Sequence, residues 1–284
     1  LGIEFEYNKK NSNIYIKQIA PLNSTKKNSL GFIDHNRDDK KELMNSSVVE
    51  NILCDFDFKK LNLKKNLVFV ENPKLIFSII GNNYFTKKPN YGIHKSSYID
   101  SKAIIHPESY IGPNVYIGKC KIGKGAIIYS NVSIYDSTLI GNNIIIHSGA
   151  TIGSDGFGYN RDGDLSIQFP HIGGVLIKDN VELGANCSID RGALDKTIIG
   201  NNSKIDNNVH IGHNVQIGNS VWVAANSSIA GSSIIKNNSS IFLGSSISNN
   251  INIGKNAVVG IGSVVISDIP NNKKCFGVPA RIIN

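Results

Sequence analysis

Long apolar runs are missing from this 284-residue chain. No stretch of about 18 hydrophobic residues is available to cross a bilayer, and the first twenty residues carry charges where a secretory signal would have an apolar core. A soluble, cytoplasmic protein is expected. Methionine and tryptophan occur once each, as Met44 and Trp222. The four cysteines, Cys54, Cys120, Cys187 and Cys275, are scattered without CxxC or Cys/His metal spacing, which argues against a zinc site and a disulfide framework and fits a reducing compartment. Acidic residues are the scarcer charge, 22 against 30 Lys and Arg, for a net charge of +8. The excess sits in short pairs such as Lys9-Lys10, Lys26-Lys27, Lys40-Lys41, Lys64-Lys65 and Lys87-Lys88, with no basic stripe interleaved with aromatics. These read as solvated faces, so no nucleic-acid partner is expected. A hydrophobic content of 40% excludes a disordered chain, and 27 glycines suit a turn-rich, repetitive fold.

What is present is an internal repeat. Aliphatic residues recur at every sixth position at Ile99, Ile105, Ile111 and Ile117, then at Ile122, Ile128, Ile134, Ile140, Ile146 and Ile152. A short block holds Ile177, Leu183 and Ile189, and an unbroken one runs from Ile199 through Ile205, Ile211, Ile217, Val223 and Ile229 to Val265. Period six fits neither a helix nor a single alternating strand. Two residues before each aliphatic position sits a small or branched residue, such as Ser203, Val209, Val215, Ser227, Ser233 or Ser239, so both positions point inward. Gly and Asn follow, providing the tolerance for positive φ that tight corners need. Each hexad is then a strand and a corner. Three close a triangular coil of eighteen residues, and coils stack about 4.8 Å apart. Between Ile117 and Ile122 one corner is a residue short, and residues 154–174 form a loop ejected from the prism, a common location for function.

Residues 1–92 lack the period and read as a small α/β domain, with a strand at Leu67–Val70 and helix-like spacing from Pro73 to Phe85. The prism spans residues 93–270, and residues 271–284 form a tail.

Three segments within the prism break the monotony. The ejected loop opens with Gly153-Ser154-Asp155-Gly156-Phe157-Gly158-Tyr159 and closes with Phe169-Pro170-His171-Ile172-Gly173-Gly174. Ser188-Ile189-Asp190-Arg191-Gly192-Ala193-Leu194 interrupts the period, and Asp206-Asn207-Asn208-Val209-His210-Ile211-Gly212-His213-Asn214 follows. The hexads resemble the left-handed parallel β-helix of the hexapeptide-repeat acyltransferases, and the handedness comes from that resemblance. The order of DGFGY loop, IDRGAL break and HN motif resembles the UDP-3-O-acylglucosamine N-acyltransferases of lipid A biosynthesis over nearly the whole chain, including a small N-terminal uridine-binding domain.

That resemblance implies transfer of a 3-hydroxyacyl chain from acyl carrier protein to the 2-amine of a UDP-3-O-acylglucosamine. No bound cofactor is needed, because acyl carrier protein brings its own acyl-phosphopantetheine. A homotrimer is implied, since the groove takes walls from two subunits. The attacking amine must lose a proton, a task suited to a histidine titrating near neutrality. His213 occupies the family's catalytic position, and lies two residues past Ile211, outside the packed interior. His210 also points outward and is a candidate binding residue. Asp206 and Asn207 either orient substrate or the histidine, or form an ordinary corner. Asn214, Asp155, Phe157 and Tyr159 complete the candidate substrate contacts. Gly231 and Asn249 lie eighteen and thirty-six residues beyond His213, hence on the same edge, where small residues leave room for a pantetheine arm and a backbone N–H for an oxyanion.

Two departures from the family stand out. Asn250 takes the place of a second histidine, and an amide donates a hydrogen bond without carrying a proton charge. Many members carry a C-terminal helix that helps dock acyl carrier protein; after Gly277-Val278-Pro279-Ala280-Arg281 none is expected here, and docking is expected to rely on the basic prism surface, Arg281 included. In the N-terminal domain Phe32 takes the place of an aromatic that stacks on uracil, or is an ordinary core residue; the family's Asn is His35 or Asn36, and its later Tyr is not found.

Other readings are another hexapeptide acyl or acetyltransferase of nucleotide sugars, and a catalytically silent binding paralogue. A γ-class carbonic anhydrase needs zinc-binding histidines at a spacing that His210 and His213 do not have.

Overall fold

A computed structural model of the chain describes residues 5–8, 15–33, 39–60 and 65–283. It divides into two compact units, Leu1–Lys88 and Pro89–Asn284.

The first unit is built on a five-stranded sheet of β1 (Glu6–Tyr7), β2 (Gln18–Ile19), β3 (Ser29–Phe32), β4 (Asn51–Cys54) and β5 (Asn66–Phe69). Its spatial order is β1-β5-β4-β3-β2, with β1 antiparallel and the other pairings parallel. Parallel neighbours need crossovers, and α1 (Lys40–Ser46) supplies one of them between β3 and β4. Met44, Val49, Ile52, Cys54, Phe58 and Leu67 form the buried core. The helix expected from Pro73 to Phe85 is α-helical over Pro73–Ile80 and ends in a π-helical turn at Gly81–Phe85. It begins where Asn72 caps it, its side-chain oxygen accepting from Leu75 N–H at 3.0 Å.

The second unit is the expected left-handed parallel β-helix of hexad strands. Strands fall in turn on three faces, of nine, eight and eleven strands. Pairing is parallel and usually eighteen residues on, as in Tyr98 with Tyr116 or Ile211 with Ile229. Where the corner before Ile122 is short, partners are seventeen apart, Ile117 with Ile134. From Ile111 onward the aliphatic residue of each hexad is buried, Ile111, Ile134, Ile189, Ile211 and Ile235 completely, while Ile99 and Ile105 in the first coil are partly buried.

The inward small residues have a specific role. Ser203, Ser227, Ser233, Ser239 and Ser245 are wholly buried, and each hydroxyl donates to a backbone carbonyl fifteen residues on, such as Ser233 to Ser248 O at 2.8 Å. A hydroxyl without such a partner would be costly inside the prism. At the corners the positive φ falls mostly on Asn, including Asn202, Asn208, Asn214, Asn226, Asn238 and Asn250, and at others on Ser or Gly, such as Ser220 and Gly244. The glycine following the aliphatic residue serves close coil stacking instead: a Cβ on Gly200 would stand 2.4 Å from the Gly218 carbonyl.

The ejected loop carries an antiparallel hairpin, Tyr159–Asp162 with Leu165–Gln168, all of it exposed. Beyond residue 270 the chain continues the prism: Lys274–Phe276 pairs with Val258 and Val259, and Arg281–Ile283 folds back antiparallel onto it.

Candidate active site

The corner after strand His210–Ile211 holds Gly212, His213 and Asn214. Asn214 has φ 60°, a conformation that Asn adopts far more readily than most side chains. Its backbone N–H donates to Thr197 Oγ1 at 3.0 Å, and its side-chain oxygen accepts from Ala193 N–H at 2.8 Å. That second bond orients the carboxamide, so its nitrogen donates to His213 Nδ1 at 3.1 Å. The IDRGAL break thus has a local function: it brings an N–H to the oxygen of Asn214. Held this way, neutral His213 carries its own proton on Nε2.

His213 lines a cavity of about 370 Å³ with Asp190, His210, Phe157, Gly231, Asn249 and Asn250. His210 Nε2 lies 3.7 Å from Asp190 Oδ2. Burial raises the Asp190 carboxyl above the usual range, against the pull of His210 and His171. Burial lowers His213 below the ordinary imidazole range, and the neighbouring His171 pushes it the same way. The two rings stand edge to face, 5.3 Å between centroids.

Arg191 anchors the loop above the cavity. Its Nε donates to Gly153 O at 2.7 Å and its Nη2 to Asp136 O at 3.0 Å, with Asp155 Oδ1 3.7 Å from Nε. Phe157 is 87% exposed at the mouth and packs 5.2 Å from the Tyr159 ring. A bare backbone is required at Gly156, where a Cβ would stand 2.9 Å from His213.

Of the expected site residues, the fold gathers His213, His210, Phe157, Gly231, Asn249 and Asn250 around one cavity, with Asn214 bonded to His213 and Asp155 and Tyr159 in the loop above it. Asp206 and Asn207 are not among them, and the expectation that they orient the histidine is corrected. They line a separate cavity of about 610 Å³ with Lys204, Trp222 and Phe242, where Asn207 accepts from Ala185 N–H at 2.7 Å. The hexad period puts their corner one face before that of His213. That cavity is the larger of the two, and contains a His147–Glu182 contact at 3.1 Å, but not His213. Arg281 lies on the exposed final strand, away from the His213 cavity. Phe32 is half-buried in the N-terminal unit, its ring 4.7 Å from that of Phe77, and His35 and Asn36 lie outside the described residues.

Two contributors went unassigned in the sequence. Asp190 stands inside the IDRGAL break, and His171 closes the loop; their types were visible but not their destination. Among the described residues no three His, Cys, Asp or Glu side chains are grouped to hold a metal, and no helix is long and apolar enough to cross a membrane. The four cysteines are buried and unpaired, with burial raising the Cys120 thiol to about 11 and the Cys54 thiol to about 12.

Comparison with known proteins places the repeat and the fold. The family model described as bacterial transferase hexapeptide (six repeats) matches residues 119–154 and 196–231. A UDP-3-O-acylglucosamine N-acyltransferase of Polynucleobacter asymbioticus is 35% identical over 66% of this chain and 62% of its own length. One from Coxiella burnetii is 37% identical over 50% of this chain and 48% of its own. The chain thus spans roughly half to three fifths of the length of these curated relatives. Among solved structures, the UDP-N-acetylglucosamine O-acyltransferase of Moraxella catarrhalis superposes with a TM-score of 0.61 at 26% identity, over 68% of this chain and 74% of that one. The corresponding Francisella novicida enzyme matches at 27% identity and the same TM-score of 0.61, over 68% and 70%. By repeat, fold and sequence similarity, this chain is a hexapeptide-repeat β-helix protein related to the UDP-3-O-acylglucosamine N-acyltransferases.

Proposed function

We propose that the protein is an N-acyltransferase that moves a 3-hydroxyacyl chain from acyl carrier protein to the 2-amine of a UDP-3-O-acylglucosamine, a step of lipid A biosynthesis. The observation that carries this reading is His213, held through Nδ1 by Asn214 in a cavity between the DGFGY loop and the coil edge at Gly231.

The amine nitrogen attacks the thioester carbonyl, its proton passes to His213, and the C–S bond breaks to release the pantetheine thiol, which takes a proton in turn. Accepting at Nε2 requires the ring's own proton to sit at Nδ1. Asn214 must then turn its carboxamide oxygen toward the ring, away from Ala193 N–H. Proton transfer of this kind contributes roughly 10² to 10⁴ in rate. Phe157 and Tyr159 border the acceptor, Asp155 holds the loop through Arg191, and Asn249 with Asn250 faces the acyl arm. Asn250 acts as a hydrogen-bond donor and leaves a single-base mechanism. Phe32 contributes to the uridine site in the N-terminal unit.

A homotrimer supplies the second wall of the groove, and its place of work is the cytoplasm. Arg281 belongs to the basic surface that meets acyl carrier protein. Asp206 and Asn207 remain substrate contacts in this reading through the trimer, on the wall facing a neighbouring subunit. No cofactor beyond the carrier's own phosphopantetheine takes part.

The test is transfer of a 3-hydroxyacyl group from acyl carrier protein to UDP-3-O-acylglucosamine, beside UDP-N-acetylglucosamine and acetyl-CoA controls and a His213→Ala variant. Product from the amine acceptor alone, lost in the variant, supports the reading. A folded trimer that transfers to no acceptor overturns it in favour of a binding scaffold.

A further inference from the structure

We infer that the cavity beside Trp222, on the prism face before that of His213, binds a single acyl chain carrying an uncharged, hydroxylated head group. This deepens the acyl-transfer reading and rests on it for the link to substrate, because Asp206 and Asn207 line this cavity. As a statement about binding it stands on the cavity itself.

From His147 to Phe242 the cavity crosses five successive coils, and four strand spacings of about 4.8 Å make it about 19 Å long. Its volume of about 610 Å³ is that of a small-molecule site. Each hexad turns two residues outward here, one before its buried aliphatic residue and one after it. The first column is Glu182, Lys204, Trp222 and Ser240; the second is His147, Gly184, Asp206, Ala224 and Phe242. The two halves therefore differ in character. His147, Glu182, Lys204 and Asp206 make the earlier coils polar, and Trp222, Ala224 and Phe242 make the later ones apolar. Trp222 is 64% exposed and Phe242 43%. Among the described residues the indole meets no other ring and no cation. An aromatic wall left open on a concave surface gains most from an apolar ligand that replaces its hydration.

The polar half selects the head group. Glu182 Oε1 lies 3.1 Å from His147 Nε2, and its Oε2 lies 3.8 Å from Lys204 Nζ, which also donates to Asn180 O at 3.0 Å. The lysine charge is thus matched by Glu182, and Asp206 is a surplus acid. Asp206 Oδ1 accepts from Asn207 N–H at 2.7 Å, and among the described residues Asp206 forms no ion pair. Two carboxylates against one ammonium repel a carboxylate head. Hydroxyl groups instead donate to Asp206 and accept from the carboxamide nitrogen of Asn207. An apolar surface of a second copy laid over the whole face would bury Glu182, Lys204 and Asp206 together with Trp222, at a cost in desolvation. A chain lying along the groove with its head at Asp206 meets each half with matching chemistry.

Trp222 is the sole tryptophan of the chain, so its emission reports this cavity alone. The experiment titrates the full chain with octyl β-glucoside below its micelle concentration, beside methyl β-glucoside and octanoate, reading tryptophan emission and binding heat together. We expect octyl glucoside to shift the emission to the blue and saturate, with the other two at least about tenfold weaker. Ala224→Leu fills the apolar half from an outward position, and should weaken octyl glucoside about tenfold or more. Asp206→Asn keeps the oxygen facing Asn207 N–H and removes the surplus charge, so the preference over octanoate should narrow. Equal binding of methyl glucoside overturns the acyl part of the proposal, and equal binding of octanoate overturns the head group. Heat without an emission shift, or a shift undiminished in Ala224→Leu, places binding elsewhere and overturns it, as does no binding. Emission of the ligand-free protein that reddens on dilution means that a second copy covers Trp222, which also overturns it. Binding is read without any transfer, so octyl glucoside bound by a chain that acylates no acceptor separates failure of the acyl-transfer reading from failure of this one.

Discussion

The imidazole of His213 rests on the backbone of Gly231, one coil further along, so closely that a Cβ on residue 231 would stand 2.7 Å from both Cε1 and Nε2. The ring cannot shift inward, because the strand beneath it buries Ile211 completely. Glycine at 231 therefore sets where the proton-accepting nitrogen sits.

Gly231→Ala should displace the ring while leaving the prism folded. A displacement of about 1 Å at a reacting group costs about 10²-fold in rate. The expected outcome is a drop in kcat of that order with an unchanged melting temperature; wild-type kcat would show that the contact is dispensable.

Asn214→Asp keeps an oxygen for Ala193 N–H and replaces the donor at His213 Nδ1 with a carboxylate oxygen. Nδ1 then carries the proton, Nε2 is freed as acceptor, and the adjacent negative charge raises the imidazole pKa by about one unit or more. The acid limb of the pH–rate profile should move upward by that amount. An unmoved limb would mean that Asn214 does not govern the proton position of His213.

His213 works in its neutral form, and its folded-state pKa lies below the ordinary imidazole value. Activity should therefore rise with pH through that depressed pKa and reach its plateau at a lower pH than an unperturbed histidine would allow. The same shift makes stability pH-dependent. Below about pH 6.5 the unfolded chain binds the proton before the folded one does, so this contribution to stability is lost as pH falls through the folded pKa. Chemical denaturation at several pH values, wild type against His213→Ala, should show a smaller loss on acidification in the variant.

Arg191→Ala removes two bonds from the guanidinium to backbone carbonyls, at Gly153 and Asp136. Each is worth about 1.5–3 kcal/mol as a bond to a charged donor. We expect stability to fall by about 2 kcal/mol or more, and protease cleavage within 155–172 to accelerate because the loop base is released. Unchanged cleavage there would separate Arg191 from loop anchoring.

Ser233→Ala leaves Ser248 O without its inward donor and Ile251 N without the oxygen at 3.2 Å. The cost should be about 1–3 kcal/mol. Exposed Ser246→Ala on the strand Ser246–Ile247 should stay within about 0.5 kcal/mol, and equal effects in urea unfolding would refute the interior role of the hydroxyl.

Much of this architecture was legible because its contacts are periodic. A residue in the prism meets the residue eighteen positions away, so the spacing alone places Gly231 and Asn249 on the edge of His213. The inward serines were legible as small residues, but their bonds to carbonyls fifteen residues on depend on how one coil sits on the next. Asp206 and Asn207 were misplaced because proximity in sequence suggested a shared site, while one hexad moves the chain to the next face of the triangle.

By itself, the sequence determined the solenoid, the inward positions, the Asn-bearing corners and the edge on which His213 lies, because a six-residue period repeated through stacked coils admits one packing of its aliphatic column. Only the tertiary structure decided what stands around His213. The loop from 154 to 174 has no period, and its docking depends on where Arg191 finds carbonyl oxygens and where Gly156 and Gly158 allow close approach. That docking brings His171 to within ring contact of His213. Such contacts between aperiodic segments arise from packing in three dimensions, which no spacing along the chain encodes.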